Sequence, residues 1–380
     1  MNLYDILIQS STAALSLQDS EQGFMPPGHN GSYQDPETPV RNTAHWLITF
    51  LKAYEISSQK KFLNAAQQAT SYLCSDEARP MDASFWHRKN PHKDTCNGLM
   101  GQAWTIEALT IAAHSLEMPE LLALAEKVFL LHPQDTRTGL WRCVSADGTY
   151  LDFDNTFNHQ LWFAAAGTLL AKASCSEDID LSVREFLKNL PVNFQVYKSG
   201  LIKHFVSLEL FPSRVRIDKL YAQTWQLRYL EKVIKSNRYL KQKEIGYHSF
   251  NLYAFALIKQ VHPDHPFWSS PSFSAALQYI ESEAYHQQIQ VSKYGFPYNP
   301  PGFEIPFILE VFSDVPDKQL KQSQWVSRQL SRCYNFEAHL MNKDTADPMT
   351  HAARIYEATR LKDLALDDFR TITRCSEEEL

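Results

Sequence analysis

The sequence predicts an all-α fold, an (α/α)6 barrel with short β-hairpin insertions, and three observations carry that prediction. Glycine is scarce, 12 in 380 residues, about 3% where ordinary usage is about 7%. Few turns then need a positive φ, which favours many helices over many strands. Apolar stripes with a 3.6-residue period recur in six nearly all-apolar segments, separated by helices with one polar face. Polar residues opening those six segments are regularly spaced: Asn42, Asn97, Asn158, His248, Glu304 and His351 lie 55, 61, 90, 56 and 47 residues apart. Four of these gaps suit one helical hairpin with its loops.

The six apolar segments are RNTAHWLITFLKAYEI from Arg41, CNGLMGQAWTIEALTIAAHSL from Cys96, FNHQLWFAAAGTLLAKA from Phe157, GYHSFNLYAFALIKQ from Gly246, GFEIPFILEVF from Gly302 and DPMTHAARIYEAT from Asp347. Between them run the amphipathic segments KKFLNAAQQATSYL, PELLALAEKVFLL, SVREFLKNL, SFSAALQYIESEAYH and SQWVSRQLSRCY. A helix apolar on most faces must be buried on most faces, whereas one with a polar face sits outside. Six inner helices within an outer ring close into a barrel. The 90-residue gap holds extra material, of which FQVYKSGLIKHFV alternates apolar and polar around Ser-Gly as a β-hairpin does. TGLWRCVSADGTYLDF has the same character, with Asp147-Gly148 as its turn. No linker-like composition break divides the chain, so residues 1–380 are expected to form one domain, with the acidic tail at 370–380 frayed.

Charge and cysteine usage narrow the function. The net charge is -6 without long Lys/Arg runs, which argues against nucleic acid or an anionic membrane as the main partner. No uninterrupted apolar stretch is long enough to span a bilayer, and the first residues lack a basic segment before an apolar run; a soluble cytoplasmic protein is expected. The six cysteines lie far apart, with no CxxC pair and no zinc-like spacing, so no metal site is expected. No phosphate loop or dinucleotide fingerprint is visible, so neither ATP nor NAD is implied and no cofactor is expected. Aromatics reach 12%, with 8 Trp and 17 Tyr, a surplus that suits a sugar-sized cleft as well as a core.

In such a barrel the inner helices all run the same way, so their polar N-terminal ends gather at one mouth, where unpaired N–H groups and the helix dipoles suit hydroxyl-rich or anionic ligands. Expected there are Arg41, Asn42, His45, Asn97, Gln102, Asn158, His159 and Trp162 from the first three inner helices. The last three contribute His248, Asn251, Glu304, Thr350, His351 and Arg354, and the preceding loops add Asp94, Asp154, Trp86, His87, Tyr294, Phe296 and Tyr298. Four histidines, His45, His159, His248 and His351, lie within a turn of an inner-helix start; each is a candidate proton carrier or a helix-end hydrogen-bonding group. Asp94 in KDTCN and Asp154 in FDNTFN are candidates for a glycosidase acid–base pair or for N-terminal caps. Glu304 heads a strongly apolar helix and needs a partner or a ligand there. Arg41 and Arg354 suit a substrate oxygen or a neighbouring carboxylate equally.

Arg41 in PVRNTAHW, His248 in YHSFN, Glu304 in GFEIPF, and His351 with Arg354 in MTHAAR follow the order of polar groups in the N-acylglucosamine 2-epimerase family, which this chain resembles. One departure stands out: Asn251 occupies the position where that family carries Glu. The resemblance implies a sugar epimerase or isomerase in which His248 and His351 are paired proton carriers, with Glu304 and Arg41 holding hydroxyls and Arg354 stabilising enolate charge. Asp94, Asp154, Asn97, Asn158, His159, His45, Trp162, Asn251, Trp86 and Arg354 are then substrate-binding candidates. TGLWRCV and NTAHWLITFLKAY look as much like six-hairpin glycosidases, including unsaturated uronyl hydrolases, and like glucuronyl C5-epimerases. Three functions therefore stand open: two-histidine proton transfer on a sugar, glycoside hydrolysis by Asp94 and Asp154, and a non-catalytic glycan-binding barrel. In each the ligand is a sugar or oligosaccharide, and the expected assembly is a monomer or homodimer.

Overall fold

Each apolar segment of the sequence is an inner helix in the computed structural model, which describes residues 1–206 and 226–366. The inner helices are α2 (Val40–Ser57), α4 (Gly98–Ser115), α6 (Phe157–Ser174), α8 (Gln226–Lys259), α11 (Pro301–Phe312) and the short α13 (Pro348–Ala353), which continues as a 3-10 helix over Arg354–Arg360. The outer helices are α1 (Leu3–Ala14), α3 (Lys60–Leu73), α5 (Glu120–Leu130), α7 (Glu177–Asn193), α9 (Pro271–Tyr279), α10 (Glu283–Val291) and α12 (Lys318–Cys333). Burial separates the two rings as the sequence pattern requires: α4 buries 15 of its 18 residues, whereas α3 buries 7 of 14 on one face.

Contacts run from α2 to α4, α6, α8, α11 and the terminal 3-10 helix, which returns to α2. The inner ring is thus closed, the (α/α)6 barrel the sequence predicts. The amphipathic helix α1 completes the outer ring; an Asn2–Ala365 bridge and the Leu3 N–H donating to the Leu364 carbonyl (3.0 Å) tie the two ends of the described chain together.

Three strands, β1 (Gln134–Asp135), β2 (Leu140–Val144) and β3 (Tyr150–Phe153), form an antiparallel sheet in the order β1-β2-β3, with the turn at Asp147-Gly148. The second expected hairpin is reduced to a Val196–Ile202 bridge around Gly200. The expected helix at 272–286 is broken in two, because Ser282 caps α10 by accepting from the Tyr285 N–H (3.1 Å).

The largest departure is α8, which starts 20 residues before Gly246. Gly246 does not open a helix; it lies inside one, where a Cβ would sit 2.4 Å from the Tyr294 carbonyl, so the glycine admits a loop against the helix surface. At about 1.5 Å per residue, roughly 30 Å of helix precedes it. Consequently Lys243, Tyr247 and Phe250, spaced i, i+4, i+7, present one face to the barrel mouth. His248 is turned about 100° away from that face. Among the described residues no helix is long and apolar enough to cross a membrane. The acidic tail expected at 370–380 lies outside the described residues.

Candidate active site

The mouth of the barrel opens into a cavity of about 510 Å³. Its walls come from the loop before α4 (Arg88, Lys93, Asp94, Asn97), β3 and the loop after it (Asp152, Asp154), the start of α6 (Asn158, His159), His204 and Phe205, and α8 (Lys243, Tyr247, Phe250). Asn30, Tyr33, Tyr298, Asn299, Trp104 and Arg354 complete it.

The start of α4 explains why two carboxylates meet here. Asn97 and Gly98 both take left-handed conformations, φ 57° and 59°. The Gly98 N–H donates to Asp94 Oδ1 (2.7 Å) and the Leu99 N–H to Asp154 Oδ2 (3.2 Å), so both aspartates satisfy free amides at one helix terminus. Each is also a cavity residue. The capping and site readings of Asp94 and Asp154 are therefore compatible.

Asp154 Oδ2 lies 2.7 Å from His159 Nδ1, and Oδ1 accepts from the Thr156 N–H (3.1 Å). Burial pushes the Asp154 carboxyl up, but the His159 charge and hydrogen bond with the Thr156 and Leu99 amides outweigh it and hold it down to about 2. His159 Nε2 makes no hydrogen bond among the described residues, and the ring is 22% exposed toward the cavity. A carboxylate fixes one nitrogen of this imidazole while the other faces space a substrate can enter. Asp94 is also held below the usual range: burial raises it, and Arg88 (2.7 Å) with the Gly98 amide lowers it further.

Arg354 forms the cavity floor. Its Nη1 donates to Asn299 Oδ1 (2.9 Å), its Nη2 lies 3.4 Å from Glu304 and 2.5 Å from Glu357, and its guanidinium sits 4.9 Å from the Phe250 ring centre. Burial first pushes both glutamates up; the Glu357 charge raises Glu304 further, the Glu107 charge raises Glu357, and Arg354 offsets part of the rise in each. Beside Arg354, the buried Oδ1 of Asn158 and the buried indole N–H of Trp104 have no partner among the described residues. They leave the floor ready to bond hydroxyls.

The structure thus brings together Asp94, Asn97, Asp154, Asn158, His159, Tyr298 and Arg354 of the expected residues. It separates the others from the cavity wall. His248 accepts from the Ile202 N–H through Nδ1 (3.3 Å), and its Nε2 donates to the Ala276 carbonyl (3.0 Å). Both nitrogens are committed to backbone, and burial lowers it to about 4, so the paired-carrier arrangement with His351 is not formed. His351 is buried behind the wall, lowered to about 4 by burial and then by the Arg354 charge. His45 is stacked on Tyr356 (4.1 Å) with its edge toward Trp104.

Arg41 reaches the site only through others: it donates to Asn30 Oδ1 (2.9 Å), pairs with Glu37 (3.2 Å) and lies 4.1 Å from the centre of the Trp104 ring. Glu304 likewise acts on Arg354, accepting from the Ser249 hydroxyl (2.5 Å) on its other oxygen. Trp162 packs on Phe250 and Tyr253 and donates to the Phe250 carbonyl (3.2 Å). Asn251 is buried off the wall, and Trp86 borders a separate shallow surface hollow with Met81 and Asp147. Residues missed by the sequence reading are Arg88, Lys93, His204, Lys243 and Tyr33. Lys243 and His204 carried no signal, because they lie outside the apolar segments that marked inner-helix starts. Lys93 adjoins Asp94 and was within reach of it.

No family model matches the chain. Over 368 residues it is 46% identical to archaeal glycosylation protein Q of Haloferax volcanii, covering 95% of this chain and 98% of that protein. The chain belongs to the archaeal glycosylation protein Q family. The fold of this family member is shared by cellobiose 2-epimerase from Bacillus thermoamylovorans B4167, with TM-score 0.62, 11% identity and coverage of 94% and 98% of the two chains. It is equally shared by an unsaturated glucuronyl hydrolase specific for heparin, with TM-score 0.60, 12% identity and coverage of 99% and 98%. The expected kinship with sugar epimerases and six-hairpin glycosidases is borne out at the level of architecture.

Proposed function

We propose that this protein is a carbohydrate-active enzyme, a sugar isomerase or epimerase working by proton transfer, with His159 as the proton carrier. The observation that carries this reading is the 2.7 Å contact between His159 Nδ1 and Asp154 within the cavity. Asp154 holds Nδ1 protonated and stabilises the imidazolium that forms when Nε2 takes the C2 proton of an open-chain sugar. Arg354, already fixed by Asn299 and two glutamates, faces the oxygen on which negative charge develops. Returning the proton to C1, as the O2 proton passes to O1, converts an aldose to a ketose. Only one cavity imidazole is backed by a carboxylate among the described residues, which suits transfer on a single face of the sugar. The glycosylation role in the family's name and the epimerase-like fold are consistent with a sugar substrate.

The second reading is glycoside hydrolysis by Asp94 and Asp154, favoured by their shared place in the cavity. A glycosidase needs one of its two carboxyl groups protonated near neutral pH. Asp94 and Asp154 are both held on the ionised side, which favours proton transfer by His159. The deciding experiment incubates hexoses, N-acylhexosamines and uronic acids with the protein in deuterated water and follows C2 by NMR. Deuterium entering with wild type and not with His159→Ala supports the isomerase. Absence of exchange, with cleavage of an oligosaccharide, would transfer the site to the hydrolase reading.

A further inference from the structure

The cations that line the cavity are not equally neutralised. Arg88 lies 3.0 Å from Asp35 and 2.7 Å from Asp94, Lys93 lies 3.0 Å from the same Asp35, and Arg354 is clasped by Glu304 and Glu357. Lys243 has no carboxylate within ion-pair distance among the described residues. Its ammonium lies 5.1 Å from the ring centre of Tyr33 and 5.8 Å from that of Tyr247, whose hydroxyls are 3.2 Å from each other. The side chain is half-buried on the cavity-facing stripe of α8. On this wall three cations, Arg88, Lys93 and Lys243, face two carboxylates, Asp35 and Asp94, and Asp35 is buried behind the wall. Burial, and then repulsion from Lys93 and Arg88, pull Lys243 down to about 8, as expected of an ammonium without a counter-ion.

Neutral sugar hydroxyls would leave that charge uncompensated, and the tyrosine faces supply only part of what an anion would. We propose that Lys243, assisted by Lys93 and Arg88, binds an anionic substituent on the sugar, a carboxylate or a phosphate ester, while the ring stacks on the Tyr33–Tyr247 wall. This rests on the reading of the cavity as a sugar site, and it adds the substrate class: an acidic or phosphorylated sugar.

The test is equilibrium binding to the full-length protein by titration calorimetry at near-physiological salt. Ligands are glucose and mannose, their uronates and their 6-phosphates. Proteins are wild type, Lys243→Met, which keeps the aliphatic stem, and Lys243→Arg, which keeps the charge. One anionic series is expected to bind wild type about tenfold more tightly than the neutral sugars, a typical yield for one half-buried charge-assisted contact. That preference should disappear in Lys243→Met and persist in Lys243→Arg. Preference for uronates over phosphates, or the reverse, identifies the source of the anion. Neutral sugars binding as well as anionic ones, or a preference unchanged by Lys243→Met, overturns the assignment of Lys243 while leaving the sugar site standing. If no sugar binds, charged or neutral, the sugar-site reading and this inference fall together.

Discussion

His159 and Asp154 are joined at 2.7 Å, and the same carboxylate oxygen accepts the Leu99 amide that opens α4. One residue therefore orients an imidazole on α6 and pins the start of the neighbouring inner helix. Asp154→Asn keeps the shape and loses the charge that holds Nδ1 protonated. Turnover is expected to fall by about 10²- to 10⁴-fold, the usual span for general acid–base catalysis. KM should change much less. His159→Ala should abolish deuterium incorporation at C2. Equal exchange rates in wild type and both variants would remove these residues from the chemistry.

His248 supplies the contrasting case. Both of its ring nitrogens bond backbone groups, of Ile202 and Ala276, in a fully buried setting. His248→Ala is expected to leave two backbone groups unpaired and a void, costing about 2–4 kcal/mol of stability, while isotope exchange at C2 continues at a near wild-type rate per folded molecule. Urea denaturation alongside the exchange assay separates the two effects. Loss of exchange at full stability would restore a catalytic role to this residue.

Glu304 meets Arg354 and Ser249 without reaching the cavity. Burial and the charge of Glu357 raise its carboxyl, and the Arg354 guanidinium that both glutamates contact offsets part of that rise. Glu304→Gln imitates the protonated form and should cost only about 1 kcal/mol. Glu304→Ala leaves Arg354 less supported and should cost about 3–5 kcal/mol, the range for breaking a buried ion pair. Chemical denaturation of both variants checks the ordering; an equally mild effect of both would mean Arg354 does not depend on Glu304.

The barrel was legible because burial on all faces leaves a continuous apolar record, which Phe157–Ser174 and Val40–Ser57 carry almost to their boundaries. The site was legible where a polar residue stood immediately before such a run, as with Asp94, Asn97, Asp154, Asn158 and His159. It was not legible at His248. Periodicity reports that a helix is buried without fixing where it begins or which of its faces meets the cavity: Lys243, Tyr247 and Phe250 flank His248 in sequence and line the cavity, while His248 bonds backbone groups on another face. Glycine at 246 looked like a boundary, yet its role is close approach to Tyr294. Arg41 and Glu304 were found as charged residues in apolar company, but sequence could not distinguish contact with a ligand from support of Asn30 and Arg354, because both place a charge at an inner-helix start.

Gly98 is closely hemmed in by the aspartate–histidine pair. Its φ of 59° is one that L side chains rarely adopt, and a Cβ would lie 2.4 Å from Asp154 Oδ2 and 2.7 Å from His159 Nδ1. Gly98→Ala must therefore strain the helix start and push the aspartate–histidine pair apart. The expected cost is about 1–2 kcal/mol for the conformation alone, and activity should fall more than stability does. A variant with full activity would mean that the pair tolerates displacement and is not the working geometry.

Acid stability follows from the buried histidines. Burial holds His248, His351 and His132 down to about 4 and His87 to about 3, against about 6.5 in an unfolded chain. Below about pH 6.5 the unfolded chain takes up protons that the folded chain refuses, so stability falls as pH falls, by up to about 1.4 kcal/mol per pH unit for each histidine. The loss levels off once pH drops below the folded values. Asp154 adds a smaller loss at lower pH: held to about 2 in the fold, its stabilisation is present above about pH 4 and disappears as pH falls toward 2. Four histidines at roughly 3 kcal/mol or more apiece match the whole stability of an ordinary domain, about 5–15 kcal/mol. The protein is therefore expected to unfold on acidification before about pH 4, taking up several protons as it does so. Urea midpoints measured from pH 7 to 4.5, with proton uptake on unfolding, check this; a flat profile would show that these imidazoles take up protons in the fold as readily as in the unfolded chain.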